Sequence, residues 1–118
     1  MFKKRENITE IEEGRYLSPK FDENGLIPVI TTDFNNGDIL MHGYMNKEAL
    51  KKTIETKEAY YWSRSRKSIW HKGEKSGFVQ KVKEIRIDDD QDAIWLKVDH
   101  HQFLFLLPFE QSHFFQKV

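Results

Sequence analysis

The 118-residue sequence contains no cysteine, and this absence excludes both a disulfide framework and any thiolate ligand for a metal ion. The sequence also lacks an excess of charge of either sign, because 19 Lys and Arg residues balance 19 Asp and Glu residues. A general nucleic-acid-binding protein usually carries a basic excess. We therefore expect no nucleic-acid partner.

Long hydrophobic runs are absent as well. The longest apolar run extends from Phe103 to Leu107, far short of the roughly 20 residues that a helix needs to span a bilayer. The N-terminal segment MFKKRENITE is charged and has no apolar stretch of the kind found in secretory signals. These observations predict a cytoplasmic protein with no membrane partner.

Short β-branched and aromatic segments separated by turn residues are typical of a mainly β domain. The predicted strands cover residues 26–32, 39–44, 59–63, 78–87, 93–98 and 103–107. Asn46 is a suitable N-cap for one helix over residues 47–57, in which Ala49, Leu50 and Ile54 share a face. The predicted fold class is α+β, mainly β, with antiparallel strands and one main helix.

The predicted domain organisation is simple, because the length of the chain favours a single domain. We expect this domain to cover residues 21–118. Residues 1–20 are polar and charged and are expected to form a flexible N-terminal extension. Thr9 and Glu12 have the spacing of a capping box, so a short helix over residues 9–14 is an alternative.

An acidic segment over residues 88–92 is the first candidate site. In an extended chain, Asp88, Asp90 and Asp92 would point to the same side, since side chains alternate. Like charges repel, and an oxygen-preferring cation such as Mg²⁺ would relieve the repulsion. The alternative is a solvated hairpin turn, which this segment taken alone favours.

A basic and aromatic region over residues 62–77 is the second candidate. Arginine matches phosphate oxygens in a bidentate manner, and glycine lets backbone N–H groups approach an anion. Either tryptophan could stack on a purine or simply belong to the core, and a basic surface hairpin is the alternative. The predicted substrate-binding residues are Trp62, Ser63, Arg64, Ser65, Arg66, Trp70, Lys72, Gly73, Glu74, Ser76 and Gly77.

Five histidines form the third candidate set, since neutral imidazole binds divalent metals and acts as a general base near neutral pH. The sequence contains neither H-x-x-H nor HExxH spacing, and a lone histidine is more often structural. The adjacent pair His100 and His101, with His113 further along the chain, is the part of the set that we expect to be functional.

Several of these blocks occur in an order that resembles the phosphoribosyl-AMP cyclohydrolase family. The blocks are WSRSR at residues 62–66, WxKGExSG at 70–77 and VxxIRxDxDxDA at 82–93. Segments at residues 25–28 and 40–50 are also similar to that family. Any one block is a weak signal, but their shared order makes chance similarity improbable.

The resemblance implies a function and a set of site residues. The implied reaction is hydrolysis of the N1–C6 bond of the purine of phosphoribosyl-AMP, a nucleotide substrate of histidine biosynthesis. The family forms intertwined homodimers with sites built from both subunits. By resemblance, Asp88, Asp90 and Asp92 correspond to carboxylates assigned to Mg²⁺, and the two basic blocks contact the substrate.

The chain departs from this family at the cysteines that bind zinc. Asp89 and His113 stand where the family has two of its cysteines, and its CHTG block, which contains a candidate acid/base histidine, has no counterpart in residues 102–108. We therefore predict a second divalent ion, Zn²⁺, Fe²⁺ or Mn²⁺, at a nitrogen–oxygen site. Its third ligand would be His101 or His100, with the other as acid/base, and His42 is a more remote candidate.

Three functions remain open from the sequence. The first is an active cyclohydrolase with an Asp/His metal site, which would serve as a stand-in for the cysteine enzyme when zinc is scarce. The second is a catalytically inactive paralogue that still binds the nucleotide. The third is a metal-dependent hydrolase or deaminase of another purine nucleotide.

Overall fold

The computed structural model describes residues 17–99. Within this part of the chain the elements are β1 (Ile27–Asp33), β2 (Ile39–Met45), α1 (Lys47–Thr56), β3 (Tyr60–Ser63), β4 (Ser68–His71), β5 (Lys81–Ile87) and β6 (Ile94–Asp99). Strands β2, β1, β6 and β5 form one sheet in that order, and β3 and β4 form a separate hairpin. This arrangement confirms the α+β, mainly β class.

The four-stranded sheet is mixed, which differs in one pairing from the antiparallel fold that the sequence predicts. β1 is antiparallel to β2, and β5 is antiparallel to β6. β1 and β6 are parallel, with Val29 opposite Ile94. Parallel neighbours need a long connection between them, and here β2, α1, the hairpin and β5 provide it.

The helix begins as the sequence predicts. The side chain of Asn46 accepts a hydrogen bond from the backbone N–H of Ala49 at 2.8 Å. The helix ends at Thr56 and is capped by Lys57, which adopts a left-handed conformation with φ of 58° and donates its N–H to the carbonyl of Thr53. No helix between residues 17 and 99 is long and apolar enough to cross a membrane.

The core lies on one face of the sheet, beneath α1 and the hairpin. Alternating residues of β1 and β6, such as Val29 and Leu96, are fully buried on this face. The intervening residues Ile30 and Trp95 lie on the opposite face, where each is 38% exposed. This second apolar face is therefore left open in the single chain.

Two strand predictions required correction. Strand β4 was not foreseen, and β5 begins at Lys81, so residues 78–80 of the predicted strand belong to a loop. Gln80 is buried there because its carbonyl accepts from the N–H of Ala59 and its side chain accepts from the hydroxyl of Tyr61 at 2.7 Å. The predicted strand at 103–107 and helix at 9–14 lie outside the described residues.

Candidate active site

The turn between β3 and β4 positions the first basic block. Ser63 pairs with Ser68 at the end of the hairpin, and the hydroxyl of Ser63 accepts hydrogen bonds from both the backbone N–H and the Nε–H of Arg66, each at 3.3 Å. Lys67 closes the turn in a left-handed conformation with φ of 51°. The serine therefore helps to fix the direction of one arginine.

Two cationic side chains lie near the ring of Trp70. The guanidinium carbon of Arg66 lies 5.6 Å and the ammonium nitrogen of Lys72 lies 5.1 Å from the ring centroid. The ring is also tilted against that of buried Tyr61, with centroids 5.9 Å apart. The structure thus gives Trp70 a contact with cations, whereas stacking of Trp70 or Trp62 on a purine stays a prediction.

A cationic cavity of about 290 Å³ opens beside these side chains. Its lining residues are Arg66, Ile69, Trp70, His71, Lys72, Gly73, Glu74, Lys75 and Ser76. The lining contains three basic side chains and one carboxylate, that of Glu74, so the cavity favours an anionic ligand. Burial lowers the pKa of Lys72 below its ordinary value, and an anion in the cavity would favour the charged amine.

Gly73 is required by the shape of the loop that borders this cavity. Its φ is +87°, and a Cβ at this position would lie 2.2 Å from the carbonyl oxygen of Phe78, which no side chain can tolerate. The N–H of Gly77 donates to the carbonyl of Gly73 at 2.8 Å. Since this N–H is engaged within the loop, the observed role of the two glycines is to fold the loop tightly.

The structure contains a histidine–carboxylate pair beside the cavity that the sequence did not predict. Nε2 of His71 lies 2.8 Å from a carboxylate oxygen of Glu58, and Lys81 donates to the other oxygen at 3.2 Å. The hydrogen bond from Lys81, followed by that from His71, lowers the pKa of Glu58. The ring of His71 stacks on Tyr60 with centroids 4.4 Å apart. Only the β3–β4 pairing, which opposes Tyr60 and His71, reveals this cluster.

The acidic segment folds into a turn that gathers three carboxylates. Asp88, Asp90 and Asp92 each place an oxygen within 4.8 Å of the others. The turn is held by Oδ1 of Asp88, which accepts from the backbone N–H groups of Asp92 at 2.9 Å and Ala93 at 3.1 Å. The side chains therefore converge through a hydrogen-bonded turn, and not through the extended chain that the sequence suggested.

The crowding of the three carboxylates disfavours the charged form of Asp92. Hydrogen bonds with Asp88 and Asp90, whose negative charges also repel a third one, raise the pKa of Asp92 to about 6. Burial alone would raise the pKa of Asp88, but hydrogen bonds from Asp92, Asp90 and two backbone N–H groups outweigh it and lower that pKa. An all-oxygen donor set with excess negative charge fits a hard divalent cation such as Mg²⁺.

The remaining predicted site residues are only partly placed. Asp89 is exposed and is not one of the three carboxylates that converge. His100, His101 and His113 lie outside the described residues, so the nitrogen–oxygen metal site stays a prediction. Asp88 borders a second groove, of about 490 Å³, whose lining shares no residue with that of the cationic cavity.

Together these features define a small α+β domain with a cationic cavity and a carboxylate cluster suited to a divalent cation. The profile of the phosphoribosyl-AMP cyclohydrolase family matches residues 41–105. The chain belongs to this family.

Curated relatives agree with this assignment. The chain is 60% identical over 90 residues to a phosphoribosyl-AMP cyclohydrolase of Rhodopseudomonas palustris strain TIE-1, covering 76% of this chain and 60% of the relative. It is 55% identical over 89 residues to one of Nitrobacter hamburgensis, covering 75% of this chain and 60% of the relative. The chain thus spans about 60% of the length of the curated relatives that it matches.

Proposed function

We propose that this chain hydrolyses the N1–C6 bond of the purine ring of phosphoribosyl-AMP, a step of histidine biosynthesis. The observation that carries the proposal is the position of the cationic cavity, because all of its lining residues fall within the segment that matches the family profile. The curated relatives are named for this activity, and the proposal extends that name to the present chain.

The cavity would bind a phosphate group of the substrate. Arg66 and Lys72 both line the cavity, and each contacts the ring of Trp70, which limits the positions that its charged group samples. Charge-assisted hydrogen bonds to phosphate oxygens are among the stronger polar contacts that a protein makes. The cavity therefore supports recognition of an anionic nucleotide.

The acidic cluster would hold Mg²⁺ through Asp88, Asp90 and Asp92. A divalent cation bound there supplies positive charge that stabilises developing negative charge during hydrolysis. The raised pKa of Asp92 means that a proton competes with the cation, so we expect the affinity for Mg²⁺ to fall as the pH drops through about 6.

A second divalent cation, Zn²⁺, Fe²⁺ or Mn²⁺, is proposed at Asp89 and His113 with one histidine of the 100–101 pair. The support is chemical, because carboxylate and imidazole are competent ligands for these ions in a chain without cysteine. The other histidine of the pair is the proposed acid/base. A nitrogen–oxygen site of this kind suits a stand-in enzyme in the cytoplasm of cells that are short of zinc.

A homodimer is proposed through the open face of the sheet. Ile30, Ile39 and Trp95 are exposed large apolar residues that line the groove of about 490 Å³ beside Asp88. Clustered apolar exposure of this kind marks interaction surfaces. Light scattering should report a dimer that Trp95→Lys converts to a folded monomer, whereas a substitution at exposed Lys51 should change nothing. A monomeric wild type would reject the proposal.

Turnover of phosphoribosyl-AMP tests the proposed activity. Purified protein, prepared without a metal-affinity tag, should open the purine ring when Mg²⁺ is combined with Zn²⁺, Fe²⁺ or Mn²⁺. The double variant Asp89→Ala/His113→Ala should lose turnover and keep its affinity for AMP. Binding of AMP without turnover under every metal condition would identify an inactive nucleotide-binding paralogue, and turnover of a different purine nucleotide would identify another hydrolase or deaminase.

A further inference from the structure

Arg64, the first arginine of the basic block, lies on an aromatic ring from a different part of the chain. Its guanidinium carbon is 4.1 Å from the ring centroid of Tyr44 in β2, the shortest of the cation–ring distances among the described residues. The ring of His42, two residues earlier on the same face of β2, meets Tyr44 edge-on at 5.2 Å. Arg64 is therefore ordered by a contact distant in sequence.

Gly43, the residue before Tyr44 in β2, lets the β3–β4 hairpin pack closely on the sheet. A Cβ at Gly43 would lie 3.1 Å from Cδ1 of Tyr61, so the absent side chain leaves room for the tyrosine ring against β2. Tyr61 is fixed in turn, since its hydroxyl lies 2.6 Å from that of Thr31. Side chains alternate along β2, so the Tyr44 ring lies on the face opposite to Tyr61, and Arg64 reaches it from the turn that follows β3.

Both arginines of this block contact aromatic rings, and neither is paired with a carboxylate of the described residues. Within residues 17–99 no carboxylate forms an ion pair with Arg64 or Arg66, although the carboxylate of Glu84 pairs with both Arg86 and Lys97 on the sheet. A ring orders a guanidinium without cancelling its charge, and a carboxylate cancels the charge. Arg64 is thus directed and still available to an anion.

We propose that Tyr44 is a positioning residue that holds Arg64 in place to bind a phosphate group of the nucleotide. The proposal rests on the proposed function only for the identity of that nucleotide. Arginine gains from being preorganised, because less conformational freedom is lost when its hydrogen bonds to phosphate form. The ring of Tyr44 supplies this order, and its hydroxyl forms no hydrogen bond among the described residues.

The test is a double-mutant cycle read by calorimetric titration with AMP. Tyr44→Leu removes the ring and keeps apolar bulk, and it should weaken AMP binding about two- to fivefold, the effect expected for an exposed cation–ring contact. Tyr44→Phe keeps the ring and should bind AMP like the wild type. In the Arg64→Ala background, Tyr44→Leu should cause no further loss.

Three outcomes of the mutant cycle would overturn the proposal. They are a Tyr44→Phe variant as weak as Tyr44→Leu, a Tyr44→Leu variant that binds AMP normally, and a loss that persists undiminished in the Arg64→Ala background. Kinetics separate this proposal from the proposed function. A wild type that binds AMP and hydrolyses nothing refutes the activity, while the binding cycle still decides the role of Tyr44. A wild type that does not bind AMP or phosphoribosyl-AMP overturns both.

Discussion

Replacing Gly73 with alanine should damage the cationic cavity more than any other small substitution in its lining. The left-handed φ of +87° costs a non-glycine residue about 1–2 kcal/mol. The added Cβ would also lie 2.2 Å from the Phe78 oxygen and 2.5 Å from the Val79 nitrogen, both of which are backbone atoms. Overpacking of this kind typically adds about 1–3 kcal/mol. The sum is roughly 2–5 kcal/mol of lost stability.

Gly37 provides a matched control, because its φ is +80° and a Cβ there would have no heavy atom within 4 Å. Gly37→Ala should therefore cost only the conformational part, about 1–2 kcal/mol. Urea denaturation of both variants measures the difference, and titration with AMP shows whether the cavity survives. If Gly73→Ala loses no more stability than Gly37→Ala and still binds AMP normally, the argument about the loop is wrong.

Two further predictions concern polar clusters. The raised pKa of Asp92 means that its charged form is disfavoured in the folded state, so the free energy of unfolding falls as the pH rises through about 6. Asp92→Asn removes this charge and should therefore stabilise the metal-free protein above about pH 6. This stabilisation should vanish below about pH 4, where the carboxyl is protonated in both the folded and the unfolded states. Thermal melts across this range test the prediction, and a stabilisation that does not change with pH would contradict it. Tyr61→Phe should cost about 1–3 kcal/mol, since it leaves the buried Thr31 hydroxyl and Gln80 amide oxygen without their shared partner. Equal denaturation midpoints for the variant and the wild type would rule out that network.

Local signals in the sequence predicted much of the fold. Asn46 caps the helix as expected, because an N-cap depends on a side chain and a backbone N–H only a few residues apart. The parallel pairing of β1 with β6 was not predictable in this way. The direction of β6 relative to β1 depends on how the long connection between them folds back, and local residue patterns within the two strands do not indicate it.

In the candidate site, too, contacts between residues close in sequence were predictable, and contacts between distant residues were not. The convergence of the three aspartates is local, since one turn held by Asp88 brings them together. The pairs Glu58 with His71 and Arg64 with Tyr44 join residues of different elements, so the sequence could suggest the residue types and not their partners. The early start predicted for β5 failed for a similar reason, because Gln80 is drawn into the core by Tyr61.

The central claim is that the cationic cavity binds a phosphate of phosphoribosyl-AMP, the nucleotide that we propose as the substrate. Steady-state kinetics of Arg66→Ala with phosphoribosyl-AMP test it most directly, with Lys51→Ala as a control on an exposed helix position. We expect KM to rise about tenfold or more with little change in kcat, since a lost charge-assisted hydrogen bond is worth about 1.5–3 kcal/mol. An unchanged KM for Arg66→Ala in an active enzyme would contradict the claim.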